Sequence, residues 1–202
     1  MLARLHLVRH GEVDNPNDVV YADLPGFVLS ELGHRQAAAA AAYLATTGVG
    51  AVVSSPLERA LQTAQPIAEA TQVAVTTDGR LTEWGLSGRW AGVAWDDLPT
   101  AYPGEVEAYL VSPHDLSFSP ESLDALAKRM AAVVADLGRE HPGATVVVVS
   151  HMDPVQALRL HLLGRPLSDL LVDPPRHASV STLDWFDDTW HEVSRWQPEP
   201  TL

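Results

Sequence analysis

Apolar positions along the chain alternate between short continuous runs and helical periodicity. "RLHLV", Arg4–Val8, reads as a strand that leaves the core just before Arg9 and His10. "TVVVVS", Thr145–Ser150, is the clearest buried strand. Shorter strands are predicted at Ala51–Val53 and Val73–Thr76. Between them lie predicted helices. Ser30 N-caps one that runs to about Leu44, with Gly48 beyond its end. Others are predicted from Pro56 to Ala70, from Pro120 to Glu140 (stopped by Pro142-Gly143), and from Pro154 to Leu163. Residues 84–118 are irregular and rich in Trp, Pro and Gly. The stretch "SVSTLDWFDDTWHEVSRW" alternates about Asp187-Asp188 and reads as a hairpin.

Alternation of strands and helices predicts an α/β fold: a three-layer sandwich with a mostly parallel central sheet, helices on both faces and a C-terminal antiparallel hairpin. One domain over residues 1–202 is expected, with 84–118 as a lid or specificity insertion. In such sheets ligands bind beyond the carboxyl ends of the strands.

Composition narrows the classes. The 202 residues are 46% hydrophobic and 19% charged, enough for a core. There is no cysteine, which excludes disulfides, thiolate catalysis and Cys-ligated metals. Net charge is -13 with no Lys/Arg cluster, which speaks against nucleic-acid binding. Every apolar run is broken early, so no membrane span is expected. Arg4 and His6 interrupt the first apolar run, so no signal peptide is expected and the location is read as cytoplasmic. An acidic molecule repels anions at long range, so any anionic ligand needs a local cationic pocket.

Such a pocket is written into the stretches after the strands. "RHGE", "SSPLERALQTA" and "SHMDPVQA" should open on one sheet edge, converging Arg9, His10, Arg59 and His151. Guanidinium forks match phosphate oxygens in pairs, so a phosphoryl group is the expected ligand. Ser55-Pro56-Leu57-Glu58 and Asp153-Pro154-Val155-Gln156 each fit a capping box, which puts Arg59 and His151 at helix starts. A cation there is unfavourable until an anion arrives. His10, largely neutral at pH 7, is the candidate nucleophile. Glu83, in "RLTEWGLSGRW", is the topologically best-placed acid for a leaving alcohol.

"LVRHGE", "SSPLERALQTA", "LTEWGLSGRWAG" and "VVVSH" resemble, in order, the four marker segments of the histidine phosphatase superfamily, the phosphoglycerate mutase-like fold. The resemblance implies phosphorylation of His10, phosphoryl binding by Arg9, Arg59 and His151, and proton transfer by Glu83. It also implies no metal and no cofactor. Asn15 falls near a family phosphate contact. Met152 stands where the family usually has glycine, and its backbone N–H is expected to reach the phosphate. The family's Gly-Glu-Ser appears as Pro120-Glu121-Ser122.

The expected activity is hydrolysis of a small-molecule phosphate ester, with a phosphoglycerate-type mutase and a non-catalytic phospho-ligand module as rivals. Glu12, Ser54 and Ser55 read as structural, as do His6, His34, His141, His161 and His191. His114 and His177 lie in loops that could border the pocket. Trp84, Trp90 and Trp95 read mainly as packing, with one able to touch substrate. The hairpin edge could pair with a second copy as a homodimer.

Overall fold

The structure, a computed structural model, describes residues 1–199. Six strands form one sheet in the order β3-β2-β4-β1-β5-β6: β1 (Arg4–Arg9), β2 (Val49–Ser54), β3 (Val75–Thr77), β4 (Thr145–Ser150), β5 (Val180–Phe186) and β6 (Thr189–Trp196). β1, β2, β3 and β4 run parallel, while β5 and β6 form the expected antiparallel hairpin on the far side of β1.

Side chains alternate across the pleat and build two cores. Leu5, Leu7, Ala51, Val53, Val146 and Val148 face one side; Val8, Val52, Val147 and Val149 face the other. The second face is covered by α1 (Glu31–Leu44) and α2 (Glu58–Thr71), whose Ala40, Ala41, Ala60 and Ala64 let the helices lie close to the sheet. The first face is covered by α6 (Leu123–Glu140) and α7 (Met152–Leu162), through Leu126, Met130, Val133 and Leu158. This is the three-layer sandwich expected. His6 lies within β1, its Nδ1 2.9 Å from Thr182 Oγ1; burial pulls its ring down to about 4, so it stays neutral and structural.

Several boundaries differ from those expected. Residues 84–118 hold three short helices, α3 (Gly85–Arg89), α4 (Leu98–Ala101) and α5 (Glu105–Val111). They are too short for periodicity to reveal, and Trp84, Trp90 and Tyr109 fasten them to the core. The helix expected from Pro120 starts at Leu123, capped by Ser122, whose Oγ accepts from Ala125 N at 3.1 Å. Strand β3 is Val75–Thr77, with Val73 instead continuing the turn out of α2.

The loop after β1 is clamped to two helices. Gly11 N donates to Thr63 Oγ1 at 3.0 Å, Glu12 N to Gln36 Oε1 at 2.9 Å, and Ser30 N to Glu12 O at 3.0 Å. Ser30 caps α1 and donates its hydroxyl to the Glu12 carboxylate. The approach is close enough to require glycine twice. A Cβ on Gly11 would lie 2.6 Å from Gly33 O, and one on Gly33 would lie 2.0 Å from Glu12 O. Gly33→Ala should therefore push α1 off the loop that carries His10. The expected cost is roughly 1–3 kcal/mol of stability, read as a lower thermal midpoint, together with reduced turnover. An unchanged melting curve would refute the clamp.

Candidate active site

Parallel register assembles the site. Arg9 pairs with Ser150, and Ser54 with Val149, so β1, β4 and β2 end level with one another. The chain continues each pairing by one step: His10 N donates to Ser150 O and Ser55 N to Val149 O, both at 2.9 Å. His10, Ser55 and His151 thus leave the sheet side by side. The two imidazole centroids are 5.2 Å apart, with ring planes at 62°.

The His10 tautomer follows from its partner. Its Nδ1 lies 2.7 Å from Gly11 O. A carbonyl only accepts, so Nδ1 carries the hydrogen and Nε2 keeps its lone pair. Burial first, then His151, Arg9 and Arg59, hold this ring well below the usual imidazole value, so it is neutral at pH 7. His151 is lowered likewise, by burial and then by Arg59 and Arg9. Its Nε2 lies 2.8 Å from Ser55 Oγ, and its Nδ1 is buried without a partner.

Two guanidiniums complete the cup. Arg9 donates from Nη1 to Pro175 O at 3.0 Å and from Nη2 to His177 Nε2 at 2.7 Å. That bond makes His177 Nε2 the acceptor, and burial with Arg9 pulls its ring down to about 3. His177 does border the centre, 5.7 Å from the His10 ring. Arg59 is 1% exposed, donates to Ala22 O at 2.6 Å and lies 4.7 Å over the Tyr21 ring. Nε of Arg9 and Nε of Arg59 are both buried without partners.

Glu83 faces the same centre. Its Oε1 accepts from Trp84 N at 2.8 Å. Burial raises its carboxyl above the usual range, against the opposing pull of the Trp84 N–H, Arg59, Arg9 and Arg129. Arg129 fixes the segment: it donates to the carbonyls of Arg80, Thr82 and Glu83 and pairs with Glu121, whose other oxygen accepts from Gly85 N. The Glu121 of the altered Pro-Glu-Ser stretch is therefore the anchor of the turn that carries Glu83.

Neither capping box forms. α2 starts after Leu57 without a side-chain cap; Ser55 Oγ lies one turn earlier, where it accepts from Leu57 N at 3.3 Å and also meets His151 Nε2. α7 starts after His151, also uncapped, because Asp153 turns inward to accept from the Tyr109 hydroxyl at 3.2 Å and Gln156 donates to Val172 O. Asn15 spends its amide on a turn, donating to Val19 O and accepting from Val19 N, which shapes the segment that delivers Tyr21. Met152 is the first residue of α7, so its N–H lies outside the helical ladder.

A cavity of about 160 Å³ opens beside the cup, with Arg9, Glu83, Met152 and Asp153 in its wall. One water needs roughly 10–15 Å³ of such space, so there is room for a group of several heavy atoms. Trp90 and Trp95 line it; Trp84 does not and packs in the core instead. His114 is exposed and does not line it. Tyr21, Arg129 and Asp153 are the residues around the candidate site that sequence reasoning missed or misassigned, while Ser55 keeps its expected turn contact and adds one to His151. Among the described residues no helix is long and apolar enough to cross a membrane, and no three His, Asp or Glu side chains are grouped to hold a metal ion.

Residues 5–197 match the family model of the histidine phosphatase superfamily (branch 1). The chain is 35% identical to glucosyl-3-phosphoglycerate phosphatase of Mycobacterium tuberculosis, over 96% of this chain and 87% of that protein. It is 34% identical to phosphoserine phosphatase 1 of Hydrogenobacter thermophilus, over 90% of this chain and 86% of that protein. The solved mycobacterial glucosyl-3-phosphoglycerate phosphatase in complex with VO3 superposes with a TM-score of 0.84 at 30% identity, covering 98% of this chain and all of that one. With the marker segments folded around one cationic cup and the match running almost end to end, the chain belongs to the histidine phosphatase superfamily and is a phosphatase.

Proposed function

We propose that the protein hydrolyses a small-molecule phosphomonoester through a phosphohistidine formed on His10, without a metal. One observation carries the reading. Arg9 Nε, Arg59 Nε and His151 Nδ1 are buried polar nitrogens without partners, and they belong to the three residues whose charge acts on the His10 ring. Buried polar atoms are normally satisfied, so unpartnered nitrogens on these residues suit the binding of an oxyanion. That a relative is solved with VO3, a phosphate mimic, supports the same assignment.

In the first step the Nε2 lone pair of His10 attacks phosphorus. The bond to the ester oxygen breaks, and Glu83 gives its proton to the departing alkoxide, so a neutral alcohol leaves. In the second step water attacks the phosphoryl group and the Glu83 carboxylate takes its proton. The P–N bond breaks, its electron pair returns to Nε2, and inorganic phosphate is released. Arg9, Arg59 and His151 stabilise the charge on the equatorial oxygens, the part a metal ion plays in other phosphoryl-transfer sites. The Met152 N–H joins them, and Asn15 acts by shaping the segment beneath the cup.

His10→Ala should lose at least about 10³-fold in kcat on any ester. Alkaline quenching of the wild type during turnover of labelled substrate should trap an acid-labile, base-stable phosphoprotein that the variant lacks. A wild type that never carries such a label would refute the intermediate.

Glu83→Gln should cost about 10²–10⁴-fold on alkyl phosphates and far less on p-nitrophenyl phosphate, whose leaving group needs little protonation. The pH profile fixes the sign. Burial keeps His10 neutral well below pH 6.5, while the raised Glu83 must keep its proton. Activity on alkyl esters should therefore fall as pH rises through the Glu83 value, and that alkaline limb should vanish in the Gln variant. A limb unchanged by the substitution would remove Glu83 as the acid.

A further inference from the structure

The cavity beside the cup has a lining of unlike parts. Arg9 and Glu83, which the proposed chemistry assigns to the phosphoryl group and the leaving oxygen, are in its wall. Leu86, Trp90 and Trp95 supply apolar walls, and Asp153, close enough to Glu83 and Arg9 to feel their charge, supplies a carboxyl group that the proposed chemistry does not use. Asp153 is 6% exposed, and the Tyr109 hydroxyl, in the same wall, donates to its Oδ1 at 3.2 Å. Arg9 is the only cationic side chain among the described residues lining the cavity, and the phosphoryl group claims it. Arg89, the cation that the 84–118 segment contributes, is turned away and bound through two nitrogens to Glu105, at 2.8 and 2.7 Å.

We propose that Asp153 and Tyr109 form the subsite for the alcohol part of the ester, and that they select an uncharged polyhydroxy alcohol over one carrying a carboxylate. This deepens the phosphatase reading and rests on it. A carboxyl group and a phenol both donate and accept, so they suit hydroxyl groups of either polarity. Indole faces suit the C–H faces of a polyol. A substrate carboxylate would lose its water and meet no free cation. The wall's own chemistry agrees: burial, then the nearby Glu83, push the Asp153 carboxyl up to about 8. The desolvation that disfavours charge on Asp153 acts equally on a charge brought by the ligand.

The test is a matched pair of esters, sn-glycerol 3-phosphate and 3-phosphoglycerate, which differ by a hydroxymethyl against a carboxylate. p-Nitrophenyl phosphate and His10→Ala serve as the reference for the chemistry itself. Wild type should favour glycerol phosphate by about tenfold or more in kcat/KM. Asp153→Asn, which offers an N–H₂ donor and cannot ionise, should shrink that ratio about tenfold. Tyr109→Phe should move it the same way by less. Any effect on Glu83 is common to both esters and cancels in the ratio.

A wild-type ratio at or below unity, with p-nitrophenyl phosphate hydrolysis still dependent on His10, overturns the subsite. So does an unchanged ratio in a folded Asp153→Asn. If that variant does not fold, an unchanged ratio in Tyr109→Phe decides against it. Retained activity in His10→Ala would instead overturn the phosphohistidine reading, and the ester ratio would still decide the subsite.

Discussion

Two guanidiniums and two imidazoles held around one buried point are the constraint on which the rest of this structure depends. Burial drives every one of these groups toward its uncharged form. The imidazoles yield and are neutral; the guanidiniums cannot, and must be compensated. Partial compensation is visible. Arg9 leans on Pro175 O and His177, Arg59 on Ala22 O and the Tyr21 ring, and the Glu83 carboxyl pulls on both. Within this group Arg9 Nε, Arg59 Nε and His151 Nδ1 remain buried without partners. In the proposed reaction, a phosphoryl group bound among these residues would offer them acceptors.

Holding that arrangement takes a layer of groups that never meet the ligand. The level ends of β1, β4 and β2 set the spacing of His10, His151 and Ser55. Gly11 and Gly33 let α1 press the loop into place. Arg129 does the same for the acid: with three carbonyls and the Glu121 carboxylate on one guanidinium, the Glu83 turn has little freedom. The net charge of -13 then sits largely outside, screened over about 8–10 Å in physiological salt, while the cup acts at contact distance.

The legible parts of the sequence were those in which one physical rule dominates. "TVVVVS" is apolar on both faces, so it had to be a central strand, and Arg9, His10 and His151 followed from where such strands end. Rules in competition were less readable. Ser55 and Asp153 both suit an N-cap locally, but the helix begins only after Leu57, two residues past Ser55, whose hydroxyl serves both the turn and His151, and a buried phenol holds Asp153. Asn15 looked like a ligand contact and was taken by its own turn. Tyr21 and Arg129 had no local signal at all. Their roles come from partners about 38 and 46 residues away in the chain, a distance at which periodicity and spacing say nothing.

The division of labour between elements explains how the chemistry can persist while the substrate changes. The phosphoryl end is built from strand termini, whose positions the sheet's hydrogen bonds dictate. The subsite proposed for the alcohol is built from short helices and the first turn of α7, where Asp153 meets Tyr109 and Met152 lines the same cavity. Those positions bear on selectivity without disturbing the register that aligns His10 with His151. Met152 in the place of the family's glycine is such a change: its backbone N–H stays at the helix start while its side chain reshapes the wall. Rigid strands for the transferred group and adjustable walls for the leaving group are what a scaffold needs to serve many esters with one reaction.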